Sequence, residues 1–335
     1  MIREWVQQQW YRKNLTPWFW IFIPLSLIYG IITIVRRWIL RQSAINVQSS
    51  KVPIIVVGNI TVGGTGKTPL VIHIAKLLKQ HSLRVGIVSR GYLGSKGNKE
   101  PHWVFANSDP NQVGDEPVLL AKRLFCPIVV ASDRPKAVQA LLDSGQVDVI
   151  ISDDGLQHYA LKRNIEIAVL DGKRRLGNGW VLPIGPLRES KSRLNSVDYI
   201  VVNSPITFDN DQEYDMELRP RMVYRGNEPG TQQPLSGFQG QTIHALAGIG
   251  FPDRFFELLK SHGLNIIEHP FPDHYRFTQK DIQFKDEFPI LMTEKDAVKC
   301  GGFMDDRHWV LAVDAAVNPL FDMRLLTQMQ ELRRG

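Results

Sequence analysis

The chain has 335 residues, 43% of them hydrophobic and 22% charged, which is the composition of a folded globular protein with room for two domains. Its two cysteines, Cys126 and Cys300, cannot form a disulfide framework, and no cysteine or histidine spacing suits a zinc site, so we expect a reducing compartment. The first 50 residues carry a net charge of +5 and the remaining 285 only +1, which excludes a broadly basic nucleic-acid-binding protein.

The first predicted element is an apolar helix near the N-terminus. Asn14 to Val35 are 22 consecutive uncharged residues, which as a helix would extend ~33 Å, enough to cross a hydrocarbon core of ~30 Å. Five of the eight tryptophans lie in residues 1–40, and tryptophan favours the headgroup level of a membrane. These features predict a membrane-associated helix within residues 1–40.

Four interpretations of this helix are open. A cleaved signal peptide is disfavoured because no small-residue cleavage site follows. A transmembrane helix is weakened by Pro17, Pro24 and the basic residues on both sides of the apolar run. A helix embedded from one face of the membrane explains both basic flanks best, and a buried core helix is the remaining alternative.

The rest of the chain alternates short apolar runs with amphipathic stretches, a pattern that predicts a parallel α/β sheet. We predict a first lobe at 51–206, a polar linker at 207–240 that has room for short strands, and a second, smaller α/β lobe at 241–335. The predicted strands are 53–58, 84–89, 127–131, 147–152, 165–170, 197–202, 242–247, 289–292 and 309–313, and the predicted helices are 67–80, 116–125, 135–142, 253–262 and 320–333.

A glycine-rich segment between the first strand and helix has the context of a phosphate-binding loop, Gly58-Asn-Ile-Thr-Val-Gly-Gly-Thr-Gly-Lys-Thr-Pro69. Glycines let backbone N–H groups surround phosphates, and the helix N-terminus adds partial positive charge. Lys67 is predicted to reach the β- and γ-phosphate oxygens, and the Thr68 hydroxyl to hold Mg²⁺. The standard pattern has glycine where Thr61 stands. The nucleotide-binding residues predicted are Thr61, Val62, Gly63, Gly64, Thr65, Gly66, Lys67 and Thr68.

Carboxylates at the ends of other predicted elements suggest further roles. Asp153 and Asp154 follow a buried strand, where a P-loop fold places its magnesium-binding aspartate. Asp154 could instead cap a helix. Asp115 begins another predicted helix, and spacing alone leaves it either a helix N-cap or a catalytic base.

The nucleotide is predicted to be ATP. A GTPase should carry Asn/Thr-Lys-x-Asp, but in the nearest string, Thr293-Glu-Lys-Asp296, the lysine comes one place late. The MinD/ParA-like membrane ATPases have a lysine early in the loop, where this chain has Val62.

Eight blocks together resemble the tetraacyldisaccharide 4'-kinase (lipid A 4'-kinase) family, and several are not shared with other P-loop families. The blocks are Val57 to Pro69, Ser89-Arg-Gly-Tyr92, Gly114-Asp-Glu-Pro117, Ser132-Asp-Arg-Pro135, Asp153-Asp-Gly-Leu-Gln-His158, Gly185-Pro-Leu-Arg-Glu189, Phe271-Pro-Asp-His-Tyr275 and Thr293-Glu-Lys-Asp-Ala-Val298. The threonine at position 61 is also usual in that family.

The resemblance implies a P-loop kinase with an N-terminal membrane-associated helix. It implies Mg²⁺-dependent transfer of the ATP γ-phosphoryl group to the 4'-hydroxyl of a tetraacyl disaccharide 1-phosphate, at the cytoplasmic face of a bacterial inner membrane. It also implies that Asp115 is the base and His274 its partner, and that Glu189 lies near the metal with Asp153 and Asp154. Further contacts to phosphate or to the nucleotide are implied for Arg90, Arg134 and Arg188.

The implied substrate explains the apolar helix. Moving a lipid with four acyl chains out of the bilayer costs ~0.8 kcal/mol for each CH₂ group exposed to water, so the enzyme has to reach the lipid at the membrane. We expect the lipid and the membrane surface as partners, no nucleic acid, and a monomeric chain. Two alternatives remain, a membrane-attached switch ATPase that phosphorylates nothing small and a soluble small-molecule kinase with a packed N-terminal helix.

Overall fold

The computed structural model describes residues 6, 8–12, 17–42, 52–91, 99–204 and 212–334. Several predicted features lie outside this part of the chain: Trp5, the first residues of the apolar segment, residues 43–51 of the polar linker, and Tyr92 of one sequence block.

The N-terminal helix, α1 (Ile23–Gln42), follows a 3₁₀ turn at Pro17–Phe22. One stripe of α1 faces the protein: Ser26 is buried and donates a 2.8 Å hydrogen bond to the Val181 carbonyl, and Tyr29 donates at 3.2 Å to the Arg188 carbonyl. Only 11% of the 18-residue apolar stretch within Phe19–Leu40 is buried, so the interpretation as a core helix is wrong. By length and composition this helix is able to cross a membrane.

A single sheet runs through both predicted lobes. Its strands are β1 (Ile54–Gly58), β2 (Val85–Ser89), β3 (His102–Trp103), β4 (Ile128–Val130), β5 (Val149–Asp153), β6 (Ile165–Asp171), β7 (Tyr199–Asn203), β8 (Glu213–Arg225), β9 (Gln232–Gln233), β10 (Thr242–Ala247), β11 (Asn265–Pro270), β12 (Ile290–Thr293) and β13 (His308–Val317). The order is β11-β10-β12-β13-β8-β7-β6-β1-β5-β2-β4-β3, with β9 paired to β8. Neighbours are parallel except at β3/β4, β8/β13 and β8/β9.

Helices cover the faces of this sheet. They are α2 (Lys67–Gln80), α3 (Pro110–Val113), α4 (Asp115–Leu124), α5 (Arg134–Asp143), α6 (Pro252–Ser261), α7 (Glu294–Cys300) and α8 (Pro319–Arg334). The strand β1 is buried at all five positions because it lies between β5 and β6, which explains its continuous run of isoleucine and valine. The carboxyl ends of β1 and β5 therefore meet at one edge of the sheet. This edge carries the glycine-rich loop and Asp153.

The predicted α/β fold is confirmed, but the linker prediction is wrong for residues 213–225. These residues form β8, which pairs parallel with β7 and antiparallel with β13 and so joins the two halves of the sheet. Its middle alternates between half-buried and exposed side chains, so no apolar run marked it as a strand. The elements β3, β11, α3 and α7 were also missed.

Candidate active site

The glycine-rich loop between β1 and α2 is held in place from two sides. Gly63 and Gly66 have φ values of 103° and 94°, which favour glycine, and a Cβ at Gly66 would lie 2.6 Å from the Asn203 side-chain nitrogen. Asn203, at the end of β7, donates a 3.0 Å hydrogen bond to the Thr65 carbonyl. On the other side, the Val62 N–H donates at 2.8 Å to the Pro186 carbonyl.

The structure gives a physical reason for threonine at position 61. Thr61 is buried and forms an antiparallel bridge with Leu187, and the Arg188 N–H donates at 2.7 Å to the Ile60 carbonyl. Extended backbone of this kind suits a β-branched residue better than glycine. Val62 to Thr68 line the adjacent cavity, whereas Thr61 anchors the loop to the Leu187 segment.

The lysine of the loop lies beside the predicted acidic site. Lys67 Nζ is 3.4 Å from Asp154 Oδ1, and Arg188 Nη1 is 3.4 Å from Asp154 Oδ2. Burial alone would raise the pKa of Asp154, but the charges of Lys67 and Arg188 outweigh it and keep this carboxyl well below its usual range. Asp154 is thus a carboxylate between two cations.

Asp153, at the end of β5, has the opposite electrostatic environment. Burial, together with the negative charges of Glu116 and Asp154, raises its pKa to about 7. Its Oδ1 atom is buried and has no hydrogen-bond partner among the described residues. A cation beside this oxygen would favour the ionised form.

The Glu189 carboxylate is already hydrogen-bonded. Gln157 Nε2 donates to its Oε1 at 2.9 Å, and the Tyr159 hydroxyl donates to its Oε2. Within the described part of the chain, no three acidic, histidine or cysteine side chains are grouped to hold a metal ion. The structure therefore does not bring Glu189, Asp153 and Asp154 together as one set of ligands.

Asp115 and His274 form a hydrogen-bonded pair with 3.1 Å between Asp115 Oδ2 and His274 Nδ1. The N-cap position of α4 is Gly114 and Asp115 is the first helical residue, so the simple N-cap interpretation is wrong. Burial by itself raises the pKa of Asp115, but the hydrogen bond to His274 and the charge of Lys295 together lower it to about 2. The same hydrogen bond raises the pKa of His274 above 6.5.

Lys295, in the first turn of α7, is a site residue that the sequence reasoning missed. Its Nζ lies 3.0 Å from Glu116 Oε1, 3.2 Å from Asp273 Oδ1 and 4.0 Å from Asp115 Oδ2. It occurs in one of the sequence blocks that carried the family resemblance. The block was the only signal in the sequence that marked Lys295. Its partners lie in two segments far from it in the chain, around residues 115–116 and at residue 273, so sequence spacing could not reveal the contacts.

The arginines implied by the resemblance differ in environment. Arg90 is exposed, whereas Arg134 is fully buried and donates from Nη2 at 2.7 Å to the Asp153 carbonyl. Its Nε and Nη1 atoms are buried without a hydrogen-bond partner among the described residues, and burial lowers its pKa to about 10. Arg188 contacts Asp154 as described above.

A cavity of about 540 Å³ opens between the two halves of the sheet, a volume typical of small-molecule sites. One wall is the glycine-rich loop, and Glu116, Asp154, His274 and Lys295 add charged groups. The cavity also has apolar lining residues, Ile249, Phe251, Phe255, Leu258, Leu311 and Val313. This mixed lining suits a ligand that combines a ring system with a phosphate chain.

Comparison with known proteins identifies the family. A family model described as tetraacyldisaccharide-1-P 4'-kinase matches residues 18–330. The chain belongs to this family. The family resemblance predicted from the sequence blocks is confirmed, and with it the assignment to a family of phosphotransferases.

Relatives named tetraacyldisaccharide 4'-kinase include one from Nitrosococcus oceani, 44% identical over 326 residues, covering 97% of this chain and 94% of the relative. Another, from Coxiella burnetii, is 48% identical over 301 residues, covering 90% and 88%. The fold matches a crystal structure of LpxK from Aquifex aeolicus in complex with ATP, with a TM-score of 0.78, 28% identity and coverage of 94% of this chain and 99% of that one. The predicted P-loop kinase fold thus agrees with a solved member of the tetraacyldisaccharide 4'-kinase family.

Proposed function

We propose that this chain transfers the γ-phosphoryl group of ATP to the 4'-hydroxyl of a tetraacyl disaccharide 1-phosphate. The observation that carries the proposal is the Asp115–His274 pair, joined at 3.1 Å, in which His274 lines the same cavity as the glycine-rich loop. Family membership and the ATP complex of the Aquifex relative support the same reaction.

In this proposal, Asp115 accepts the proton of the 4'-hydroxyl as the sugar oxygen bonds to the γ-phosphorus and the bond to the β–γ bridging oxygen breaks. ADP leaves with that oxygen. The pKa of about 2 keeps Asp115 ionised at neutral pH, so its main contributions are orientation of the hydroxyl and reception of a proton late in the transfer. His274 holds the carboxylate in position through Nδ1.

Lys67 and the loop N–H groups hold the β- and γ-phosphates in this proposal. Lys67 now lies beside Asp154, and a phosphate at the helix N-terminus offers a second partner within reach of the same ammonium. The apolar lining residues of the cavity accommodate the base. Phosphoryl transfer is catalysed mostly by positioning and charge stabilisation, which is what these groups provide.

The residues present fit Mg²⁺ bound together with a nucleotide. Asp153 offers a buried carboxylate oxygen without a partner among the described residues, Asp154 a second carboxylate and Thr68 a hydroxyl. Mg²⁺ commonly takes only one or two protein carboxylates and completes its shell with phosphates and water. When bound, it neutralises charge on the transferred phosphoryl group. Because Glu189 is hydrogen-bonded to Gln157 and Tyr159, we assign it to support the site rather than to bind the ion directly.

Arg90, Arg134 and Arg188 are proposed to contact phosphate groups. The strongest support concerns Arg134, whose two buried N–H-bearing atoms lack partners in the described part of the chain. A buried donor of this kind is costly unless an anion or water satisfies it. A phosphate of one of the substrates would do so.

The helix α1 is proposed to place the enzyme on the cytoplasmic face of the inner membrane, where the lipid acceptor and ATP are both accessible. Exposed apolar side chains cover most of its surface, and Arg36 and Arg37 follow at its basic end. Ser26 and Tyr29 tie α1 to the Val181–Arg188 segment, which also contacts the phosphate-binding loop. The Val181–Arg188 segment therefore connects the proposed membrane helix with the phosphate-binding loop.

The test is transfer of label from γ-labelled ATP to a detergent-dispersed tetraacyl disaccharide 1-phosphate, with and without Mg²⁺. We expect a labelled bisphosphorylated lipid from the wild-type chain and none from Lys67→Ala, while Lys260→Ala, on the surface, serves as the control. Consumption of ATP without labelled lipid would contradict the proposal and favour a switch ATPase.

A further inference from the structure

We propose that Lys295 is a positioning residue for the Asp115–His274 pair, a role that rests on the phosphoryl transfer proposed above. Lys295 belongs to α7, in the half of the sheet that also carries His274. Its ammonium reaches across the cleft to α4, which begins with Asp115 and Glu116. It therefore joins the two halves of the site at the point where the proton is to be received.

The partners of the ammonium group indicate that it does not serve as a phosphate ligand. Carboxylate oxygens of Glu116, Asp273 and Asp115 lie at 3.0, 3.2 and 4.0 Å from Nζ. An ammonium group has three N–H donors, and three carboxylates surround the ammonium group of Lys295. Its charge is thus used in holding together acidic groups that would otherwise repel one another.

The connection to His274 runs through Asp273. The Asp273 Oδ1 atom accepts one hydrogen bond from Lys295 and another, at 3.1 Å, from the backbone N–H of His274. His274 has φ 59°, a left-handed conformation that is uncommon for a non-glycine residue. Lys295 holds the carboxylate that accepts the His274 N–H, and through it the backbone that directs the imidazole towards Asp115.

The helical turn that carries Lys295 is itself held in place. Glu294, the preceding residue, accepts two hydrogen bonds from Arg123 of α4 at 2.8 and 2.6 Å, and both side chains are almost fully buried. Thr293 caps α7 by accepting from the Asp296 N–H at 3.2 Å. The first turn of α7 is therefore fixed to the same helix that presents Asp115.

The test compares steady-state kinetics of lipid phosphorylation by the wild-type chain and by Lys295→Met, which keeps most of the side-chain volume without the charge. We expect kcat to fall at least tenfold while KM for ATP changes less than threefold. Lys260→Met, which removes a Lys–Glu surface pair in the same half of the molecule, is the matched control and should leave both constants unchanged.

A double-mutant cycle with Asp273→Asn identifies the route of the effect. If Lys295 acts through Asp273, each single variant should lower kcat, and the double variant should be little worse than the more damaging single one. Lys295→Arg should recover part of the lost kcat. Should Lys295→Met fail to fold, Asp273→Asn and Lys295→Gln provide the same comparison.

Three results would overturn the assignment: wild-type kcat in Lys295→Met, a KM for ATP raised tenfold with kcat unchanged, which is the behaviour of a phosphate ligand, or additive losses in the cycle. These results differ from the one expected if the proposed function itself is wrong, because the wild-type chain would then transfer no label to the lipid.

Discussion

Asp115 and His274 are 159 positions apart in the chain and 3.1 Å apart in the structure. The family resemblance paired them, whereas the spacing of Asp115 alone could not separate a helix cap from a base. Geometry decides against the cap because Gly114 occupies that position. Lys295 was not predicted, since its partners Glu116 and Asp273 come together only through the packing of α7 on α4. Single residues and the Asp115–His274 pair were therefore predictable where a family motif marked them, whereas the contacts of Lys295 were not.

The pairing of Asp115 with His274 predicts a pH-dependent contribution to stability. The folded-state pKa of His274 is raised above 6.5, so its contribution is fully present below pH 6.5 and is lost as the pH rises through the raised value. The pKa of Asp115 is lowered from 3.8 to about 2, so its contribution is present above pH 3.8 and is lost as the pH falls through about 2. Both contributions coincide between about pH 4 and 6.5.

We therefore expect His274→Gln to lower the free energy of unfolding more at pH 5.5 than at pH 9, as measured by urea denaturation. His262→Gln, on the surface of the same half, is the control. An equal loss at both pH values would show that His274 contributes only packing.

At the scale of elements, the predictions succeeded where a strand is buried on both faces. The run Ile54–Gly58 and the helix Lys67–Gln80 were predicted almost to the residue, because the hydrophobic run and the glycine-rich turn define both ends. The strand β8 was not predicted, since it contains Pro220 and several exposed charged residues. Its pairing with β7 and β13, rather than its own sequence pattern, makes it a strand.

The helix α1 is predicted to bind membranes through its exposed side chains. Ile31 and Ile34 are each 61% exposed, and burying an isoleucine in an apolar phase contributes roughly 1.5–3 kcal/mol. Changing both to aspartate should reduce binding to phosphatidylethanolamine–phosphatidylglycerol vesicles at least tenfold in a flotation assay. Met323→Asp, which places the same charge on an exposed position of α8, should not change it. Unaltered binding of the double variant would contradict the assignment of α1 as the membrane contact.

At the scale of the whole molecule, a continuous sheet and a buried ion pair help to join the nucleotide half to the C-terminal half. Arg123 of α4 forms two hydrogen bonds with Glu294 of α7, and the pair is 10% and 6% exposed. The sequence predicted two lobes, and it could not show that β8 makes their strands a single sheet. The position of the cleft depends on this junction.

Removing Arg123 should destabilise the whole molecule. Arg123→Met leaves the Glu294 carboxylate buried without its main cation, and breaking a buried pair in this way costs roughly 3–5 kcal/mol. The free energy of unfolding from urea denaturation should fall by about that amount. Arg219→Met, which removes an exposed pair with Glu217, should have little effect. A loss no larger than that of the Arg219 variant would contradict a structural role for the Arg123–Glu294 pair.

The most direct test of the central claim is single-turnover transfer of label from ATP to the lipid acceptor by Asp115→Asn, with Asp143→Asn at an exposed carboxylate as the control. If Asp115 receives the proton of the 4'-hydroxyl, transfer should slow by roughly 10²–10⁴-fold while ATP binding by equilibrium titration stays at the wild-type level. A loss smaller than tenfold would contradict the assignment and transfer the role to another carboxylate of the site.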